Sequence, residues 1–415
     1  MVNIWILNHN ATPPDTPGLT RNFDFARELM KRGHQVSIFA SGFNHRTRQE
    51  ERLGKKQNYR RQHIEGVEFI WIRTVPYYKG NDWRRVVNML SYSFRVIPLG
   101  LRLGETPDVI LASSPHPLAG LAGCILAKWK RARFIFEIRD LWPQTLVDIG
   151  GHSSKSPVVK LLRVLERFLY QQAEKIVVLH PKASEYITGL GIPDNKIVYI
   201  PNGVSPELFS SVGVKMPQEL DEIISSLKSK GKLLMVYIGA HGIVNALDTV
   251  LETAKLLQDG GADKVHFLLV GDGPEKKRLV EKAENWGLNN MSFYKSIPKD
   301  AVPELLRAID TAVISWKNSD LYKKYGMSTN KLWDYMICAK PIVWAINSAN
   351  DPVAQANCGI TVPPENPEEM AKAIMKLRDL SDKERQAMGM RGYDYVMKYH
   401  SVPVLATKLL EVLEY

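Results

Sequence analysis

The chain has 415 residues and a formal net charge of +11, with 45% hydrophobic and 24% charged residues. This composition excludes collagen-like, disordered and disulfide-stapled proteins, and no run of roughly 20 apolar residues predicts a transmembrane helix. The length predicts two domains, and three cysteines without metal-ligand spacing predict a reduced, cytosolic setting.

The excess of positive charge lies in the first half of the chain. Residues 1–205 carry 29 basic and 17 acidic side chains, whereas residues 206–415 carry 26 and 27. Because net charge governs association with charged partners, we expect only the first half to meet an acidic partner.

In chain order, predicted strands alternate with predicted helices. Residues 2–8 form an apolar run of strand length, residues 22–32 have apolar side chains at helical spacing, and residues 36–41 form a second apolar run. This order is typical of the start of a doubly wound α/β domain. Further strands of this half are predicted at 67–72, 108–112, 133–138, 175–179 and 196–200.

The pattern starts again in the second half, with strands predicted at 232–239, 265–271, 291–294, 311–315 and 341–346. We therefore predict an α/β fold of two doubly wound, Rossmann-like domains, residues 1–205 and 206–395, facing each other across a cleft. Residues 396–415 are predicted to hold a C-terminal helix that packs back toward the first domain. Ligands are expected at the loops that follow the strands.

Several well-known site motifs are absent from the sequence. It contains no G-x-G-x-x-G, no G-x-x-x-x-G-K-[ST], no G-x-S-x-G, no H-E-x-x-H and no D-x-D. These absences argue against dinucleotide enzymes, P-loop NTPases, serine hydrolases and zinc proteases, and against one common metal–diphosphate site.

Glycines and polar residues follow strands at two predicted loops. Gly18 precedes the first helix, where it either forms a simple turn or lets an anion approach the helix N-terminus. His241 and Gly242 follow the first strand of the second domain, and Asn245 lies near the next helix start. The second loop therefore predicts an anion site with added polar side chains.

A cluster of polar residues opens a helix in the second domain. Ser328, Thr329, Asn330 and Lys331 suit phosphate or sugar hydroxyls, and Asp334, one turn after Asn330, could accept from a ribose diol. An ordinary N-cap at Ser328 or Thr329 is the alternative, but a cap accounts for one of these residues and not for the cluster.

The first domain offers fewer candidates. Arg139 and Asp140 follow a buried-looking strand, where Asp140 either binds or activates an acceptor hydroxyl or forms a strand-end ion pair with Arg139. His116 lies at another strand end and is either structural or a contact to donor or acceptor. His9, after the first strand, is a weaker candidate of the same kind.

Residues 77–98 mix arginine and lysine with tryptophan, tyrosine, phenylalanine and leucine. This mixture favours a helix at an anionic membrane surface, and a core helix with a basic outer face is the alternative. Nucleic acid is not expected as a partner, because no recognised nucleic-acid-binding motif accompanies the basic half.

Four segments together resemble glycosyltransferase family 4 and its two-domain GT-B fold: PPDTPGLTRNFDFARELMKRGHQVSIFAS, IVYIPNGVSPELF, LLVGDGPEKKRLVEKAENWGLNNMSFYKSIPKDAVPELL and NKLWDYMICAKPIV. Two more, RDLWPQTLVDIG and YIGAHGIVNALDTVLETAKLL, resemble the branch that adds amino or deoxy sugars to bacterial surface polysaccharides such as capsule and O-antigen.

The resemblance implies transfer of a sugar, an N-acetylhexosamine or a deoxy-amino sugar, from a nucleoside diphosphate donor to an acceptor hydroxyl with retention. The donor, with UDP as its nucleotide, would bind the second domain. The acceptor, a lipid-linked saccharide or polysaccharide, would bind the first domain at the inner face of the cytoplasmic membrane. No metal or other cofactor is expected.

The chain departs from the family pattern at the donor site. The family's second glutamate is Asp334 here, and its first falls on Gly326. The usual Arg and Lys on the diphosphate are replaced by Ala240 or His241 and by Asn245, and Lys331 could supply the missing charge.

Two further positions follow from the same resemblance. Arg139 stands where the family commonly has a catalytic-site histidine, and the base of the nucleotide is expected near Lys295. The departures leave two alternatives to a transferase open: a nucleotide-sugar epimerase on the same fold, and a non-catalytic subunit that binds donor.

Overall fold

The computed structural model describes residues 1–16, 20–77, 83–114, 116–148, 150–210 and 215–414. The chain forms two compact units. The first consists of Met1–Asn202, Tyr325–Ser328 and Val402–Tyr415, and the second of Gly203–Lys324 and Thr329–Ser401.

The first unit is built on a sheet whose strand order, over the described residues, is β10-β9-β8-β7-β1-β2-β6-β5. All neighbours are parallel except β5, which pairs antiparallel with β6. The strands of this unit, including the separate pair β3 and β4, are β1 (Asn3–Leu7), β2 (Gln35–Ser41), β3 (Phe43–Asn44), β4 (Gln49–Glu50), β5 (Tyr59–Ile64), β6 (Val67–Ile72), β7 (Val109–Ser113), β8 (Arg133–Ile138), β9 (Lys175–Val178) and β10 (Ile197–Tyr199).

Helices cover both faces of this sheet, which is why its inner strands are continuous apolar runs. The helices are α1 (Arg21–Lys31), α2 (Trp83–Arg102), α3 (Pro117–Lys130), α4 (Gln144–Asp148), α5 (Pro157–Gln172) and α6 (Ala183–Gly189), and the C-terminal helix (Val402–Glu414) joins them.

Successive side chains of β1 point to opposite faces of the sheet. Ile4 shares an apolar cluster with Phe23 of α1 and Leu405 of the C-terminal helix. Trp5 lies on the other face, beside Gly100 of α2 and Lys130 of α3. The two faces of the sheet are therefore covered by different helices.

The second unit has the strand order β13-β12-β11-β14-β15-β16 over its described residues, and all neighbours are parallel. The strands are β11 (Leu233–Ile238), β12 (Val265–Val270), β13 (Met291–Tyr294), β14 (Thr311–Ser315), β15 (Ile342–Ala345) and β16 (Gly359–Val362). The helices are α7 (Pro206–Ser210), α8 (Gln218–Ser229), α9 (Leu247–Asp259), α10 (Lys276–Asn285), α11 (Val302–Ala308), α12 (Asp320–Tyr325), α13 (Asn330–Ile337), α14 (Pro352–Ala356), α15 (Pro367–Asp379) and α16 (Asp382–Tyr399). Single 3-10 turns lie at Asp194–Lys196, Ile243–Asn245 and Lys299–Ala301.

Both sheets change their direction of growth beside their first strand. In the first unit β1 lies between β2 and β7, and in the second β11 lies between β12 and β14. In open α/β sheets, ligands bind beyond the carboxyl ends of the strands at such a switch point. The prediction of two doubly wound, Rossmann-like units is confirmed.

The borders of the units differ from the predicted ones by a few residues. The second unit begins at Gly203 and α16 extends to Tyr399, whereas we predicted borders at 205/206 and 395/396. The segment Tyr325–Ser328 belongs to the first unit, where Ser328 Oγ accepts a bond from the Asn202 N–H at 2.9 Å. In the described ranges, none of the helices has the length and apolarity that crossing a membrane requires.

Candidate functional site

Two tightly packed loops form the floor of the switch point in the second unit. Gly239 follows β11 and Gly271 follows β12, with φ angles of +151° and +154°. A Cβ on Gly271 would lie 1.8 Å from the Gly239 carbonyl oxygen, so only glycine fits there. The His241 N–H donates to the Asp272 carbonyl at 2.9 Å. These contacts fix the course of both loops.

Lys331 lies at the centre of this site. Its Nζ donates to the Tyr237 hydroxyl at 2.8 Å and to Asn245 Oδ1 at 2.9 Å, and it lies 4.2 Å from the centre of the Tyr237 ring. The Tyr237 hydroxyl donates in turn to the Ala240 carbonyl at 2.8 Å. Trp316, directly after β14, places its ring 5.4 Å from the same ammonium. The fold thus brings a lysine of α13 to the carboxyl ends of β11 and β14.

The charge of Lys331 has neutral neighbours. Within the described residues no carboxylate lies within 4 Å of its Nζ, and burial lowers the pKa of this lysine to about 7. An anion placed beside it would restore the ordinary preference for the charged form. The arrangement therefore leaves a lysine without a carboxylate partner at this switch point, and its predicted contact to an anion stays a prediction.

His241 is fully buried beside Lys331. Its ring lies between Tyr237 and Phe293, and within the described residues neither ring nitrogen has a hydrogen-bond partner. Burial, with help from Lys276, lowers its pKa to about 4, so the imidazole is neutral at neutral pH. It can offer a hydrogen bond but no charge.

Asn245 lies near the start of α9, as predicted, but the residues Gly242–Asn245 are not part of that helix. Ile243–Asn245 is a 3-10 turn in which the Asn245 N–H donates to the Gly242 carbonyl at 3.0 Å. Ala246 then takes a left-handed conformation with a φ of 45°, and α9 begins only at Leu247. The backbone N–H of Asn245 is therefore already bonded to the Gly242 carbonyl. What the loop contributes to the site is side chains, above all that of Asn245.

The polar cluster before α13 divides between two roles. Ser328 is occupied by Asn202, which also donates through Nδ2 to the Ser328 carbonyl at 2.8 Å. Thr329 is the N-cap residue of α13 but makes no side-chain cap bond, and Asn330 is the first helical residue. Thr329 thus holds the N-cap position without the side-chain bond of an ordinary cap, and Lys331 is the member of this cluster that contacts Tyr237 of β11.

Asp334 and Lys295 are the remaining predicted donor contacts. Asp334 Oδ2 accepts from Lys299 Nζ at 2.5 Å, an ion pair that the sequence analysis missed. Lys295 is exposed, with its Nζ 5.8 Å from the Tyr294 ring centre. Their roles toward a nucleotide stay predictions.

The first unit holds a buried polar network at its own switch point. Glu137 of β8 accepts from Arg21 Nε at 2.9 Å and from the Ser113 hydroxyl at 2.5 Å. Asn8, directly after β1, donates through Nδ2 to Ser113 Oγ at 3.1 Å and to Asn22 Oδ1 at 2.6 Å. Burial alone would raise the pKa of Glu137, but the nearby guanidinium groups hold it below its usual range. Sequence analysis missed this network.

Arg139 and Asp140 do not form the strand-end ion pair that was one alternative. In the part of the chain that the structure describes, no nitrogen of Arg139 lies within 4 Å of a carboxylate oxygen, and the buried Nη1 has no hydrogen-bond partner. Asp140 is half-buried and lines a small, partly open pocket. The other lining residues of this pocket are Ser114, Pro117, Phe136, Ile138, Trp142, Glu166 and Tyr170.

Glu166 is the second carboxyl group of that pocket. It accepts from the Tyr170 hydroxyl at 2.8 Å and from the Tyr186 hydroxyl at 3.0 Å. Burial raises its pKa to about 7. The pocket therefore combines an acidic group that is partly protonated near neutrality with aromatic walls.

His116 caps α3. Its Nδ1 accepts from the Ala119 N–H at 3.3 Å, so the proton lies on Nε2, which is 3.1 Å from His9 Nδ1. Burial and Arg85 lower its pKa to about 3. Both ring nitrogens have protein partners, and the predicted contact of His116 to a substrate stays a prediction. Gly18 lies outside the described residues.

Histidines, cysteines and carboxylates do not gather around a cation position in the described ranges. No group of three or more of them is arranged to hold a metal ion.

Two family models match the chain and together cover most of it. One is described as "Glycosyl transferase 4-like domain" and matches residues 20–203, and the other as "Glycosyl transferases group 1" and matches residues 219–395. Among curated proteins, the glycosyl transferase WcaI of Escherichia coli, whose name refers to colanic acid biosynthesis, is 24% identical over 296 residues, 70% of each chain.

Solved structures match over the whole length. Sucrose-phosphate synthase from Thermosynechococcus elongatus has a TM-score of 0.74 at 14% identity, covering 99% of this chain and 98% of its own. Anabaena HepE, solved in complex with UDP and glucose, has a TM-score of 0.69 at 14% identity, covering 100% of both chains. These matches confirm the predicted GT-B fold.

Proposed function

Because the chain belongs to the family 4-like glycosyltransferases, we propose that it transfers a sugar from a UDP-sugar to an acceptor hydroxyl with retention at the anomeric carbon. The main support for this proposal is Lys331. Its half-buried ammonium lies at the switch point of the second unit and has no carboxylate partner within the described residues. We place the donor diphosphate against its Nζ.

Lys331 would act in the chemical step through charge. When the bond between the sugar and the diphosphate breaks, negative charge grows on the leaving group. A fixed cation at that point stabilises the transition state more than the ground state, and the loops at Gly239 and Gly271 hold its surroundings in place. We propose that the lysine replaces a metal ion in this task, and that Asp334 binds the ribose.

We assign the acceptor to the first unit. Asp140, in the pocket it shares with Glu166, would orient or activate the acceptor hydroxyl. We propose a lipid-linked or polysaccharide acceptor at the inner face of the cytoplasmic membrane. The resemblance to surface-polysaccharide transferases and the name of WcaI support this class, and the same resemblance supports an N-acetylhexosamine or deoxy-amino sugar as the group transferred.

Thermal unfolding with UDP, GDP, dTDP, ADP and NAD tests the donor assignment. Ligand at 100 times its dissociation constant adds about 2.7 kcal/mol, which raises the midpoint by several degrees. We expect a shift with UDP and none with NAD. Lys331→Met should lose the shift, whereas Lys277→Met, at an exposed lysine of α10, should keep it. The assignment would be overturned if NAD raised the midpoint, or if none of the five nucleotides did.

Product analysis separates the two remaining alternatives. A transferase releases UDP only when acceptor is present. An epimerase would convert the nucleotide sugar itself without acceptor. A non-catalytic subunit would bind UDP and release none from a UDP-sugar with any acceptor.

A further inference from the structure

Three helices of the first unit lie side by side on one face of its sheet. α2 packs against α3, and α3 packs against α5 and the strands β7 and β8. Of the sixteen large apolar side chains that are exposed among the described residues, nine lie on these three helices. They are Trp83, Val86, Phe94 and Leu101 of α2, Trp129 of α3, and Val158, Leu161, Val164 and Phe168 of α5.

α5 shows the pattern most clearly. Its inner side is buried through Val159, Leu169 and Tyr170. On its outer side Val158, Leu161, Val164 and Phe168 are 63%, 70%, 68% and 41% exposed, at spacings that place them in one stripe along the helix. A helix on the surface of a globular protein normally has charged or polar residues on that side. The stripe is therefore an apolar face without a partner within the described residues.

The outer face of α2 is built in the same way. Trp83, Phe94 and Leu101 are spaced by eleven and seven residues, which brings them to one side of the helix. The inner side is buried through Met89, Tyr92 and other residues. The buried inner side agrees with the core-helix alternative for residues 77–98, of which 78–82 lie outside the described residues. The alternative of a helix at a membrane surface stays a prediction.

The charge of the three helices is almost entirely positive. Their sequences contain nine arginines and lysines and one acidic residue, Glu166. Glu166 is 3% exposed and points inward to Tyr170 and Tyr186. The basic residues are Arg84, Arg85, Arg95, Arg102, Lys128, Lys130, Lys160, Arg163 and Arg167.

We propose that this α2–α3–α5 face docks on the surface of an anionic lipid bilayer, which deepens the proposed function by naming the surface that would bring the enzyme to its acceptor. The exposed apolar side chains enter the headgroup region, and the exposed arginines and lysines bind lipid phosphates. Lys130 is not counted among them, because its Nζ donates to the Leu103 and Glu105 carbonyls. A second copy of the chain fits the face poorly, because two faces with this excess of positive charge repel each other. An anionic bilayer matches both the apolar stripe and the charge.

Sedimentation with vesicles tests the proposal on the full chain. We expect binding to vesicles of 70% phosphatidylcholine and 30% phosphatidylglycerol at 50 mM salt, weaker binding at 500 mM salt, and none to pure phosphatidylcholine. The double variant Leu161→Glu/Val164→Glu places two carboxylates in the exposed stripe and should weaken binding at least tenfold. Met390→Glu, at an exposed methionine of α16, is the matched control and should bind like the wild type.

Three outcomes would overturn the proposal. The first is a wild type that remains in solution at low salt, and the second is a double variant that sediments like the wild type. The third is a double variant that turns a dimer into a monomer in light scattering while its sedimentation is unchanged. The UDP-induced thermal shift is measured on the same samples. Vesicle binding without that shift overturns the donor site alone, and the shift without vesicle binding overturns the docking face alone.

Discussion

The lowered pKa of Lys331 predicts that nucleotide binding depends on pH. Burial lowers this pKa to about 7. In the absence of nucleotide, Lys331 is therefore charged in half of the protein molecules at pH 7 and in about 1% of them at pH 9. If the diphosphate binds only the ammonium form, the protein must take up a proton before it binds. The dissociation constant for UDP should then rise about 50-fold from pH 7 to pH 9, equivalent to about 2.3 kcal/mol.

Isothermal titration calorimetry in two buffers of different ionisation enthalpy measures this coupling. We expect uptake of about 0.5 proton per UDP at pH 7 and about 0.9 at pH 8, because the fraction of neutral lysine rises with pH. Lys331→Met should bind more weakly and without proton uptake, and Lys277→Met should behave like the wild type. A dissociation constant that stays constant from pH 7 to pH 9, with no proton uptake, would refute the placement of the diphosphate at Lys331.

Three further predictions concern turnover and stability. Lys331→Ala should lower turnover about 10²–10³-fold at unchanged melting temperature, since it removes one fixed donor from the leaving group, and a rate near wild type would contradict this. The pKa of Glu166 is about 7 in the folded chain and 4.5 in the unfolded one, so the folded state binds more protons between these values. The free energy of unfolding should therefore fall by about 3 kcal/mol as the pH rises from 4.5 to 7, and Glu166→Gln should remove that slope in urea titrations. Gly271→Ala should destabilise the chain by several kcal/mol, roughly the upper range for single substitutions, because the new Cβ would clash with the Gly239 carbonyl. Gly104→Ala is the control and should change stability little, since a Cβ at that position meets nothing within 4 Å.

Most of the strands that could be predicted are buried on both faces, although the partly exposed edge strands β10 and β13 were predicted as well. β2, β8 and β12 are continuous apolar runs, and such runs stand out in a sequence. β5 was missed because it is the antiparallel edge strand, and its sequence YRRQHI is largely exposed. β16 was missed as well. It is a parallel edge strand of the second sheet, and of its four residues only Val362 is buried.

Site residues could be predicted where they stand in loops or in the first turn of a helix, and not where they stand in strands. Asn245 and Lys331 were both predicted, and the structure joins them across 86 positions of the chain. Tyr237 and Glu137 lie inside apolar runs, and nothing in those runs shows which strand end will face which. Their roles become visible only when the strand order places the ends of neighbouring strands together.

The donor site also explains how a chain can depart from its family's pattern and keep the chemistry we propose. The resemblance places two cations in the loop after the first strand of the second unit, where this chain has a neutral His241 and Asn245. Lys331 reaches the same loop from α13, and its Nζ lies 2.9 Å from Asn245 Oδ1. Gly239 makes room for it, since a Cβ there would lie 3.0 Å from that Nζ. We infer that Lys331 brings to this loop, from α13, a positive charge that the loop itself lacks. The loss of the loop cations is therefore no argument for a loss of donor binding.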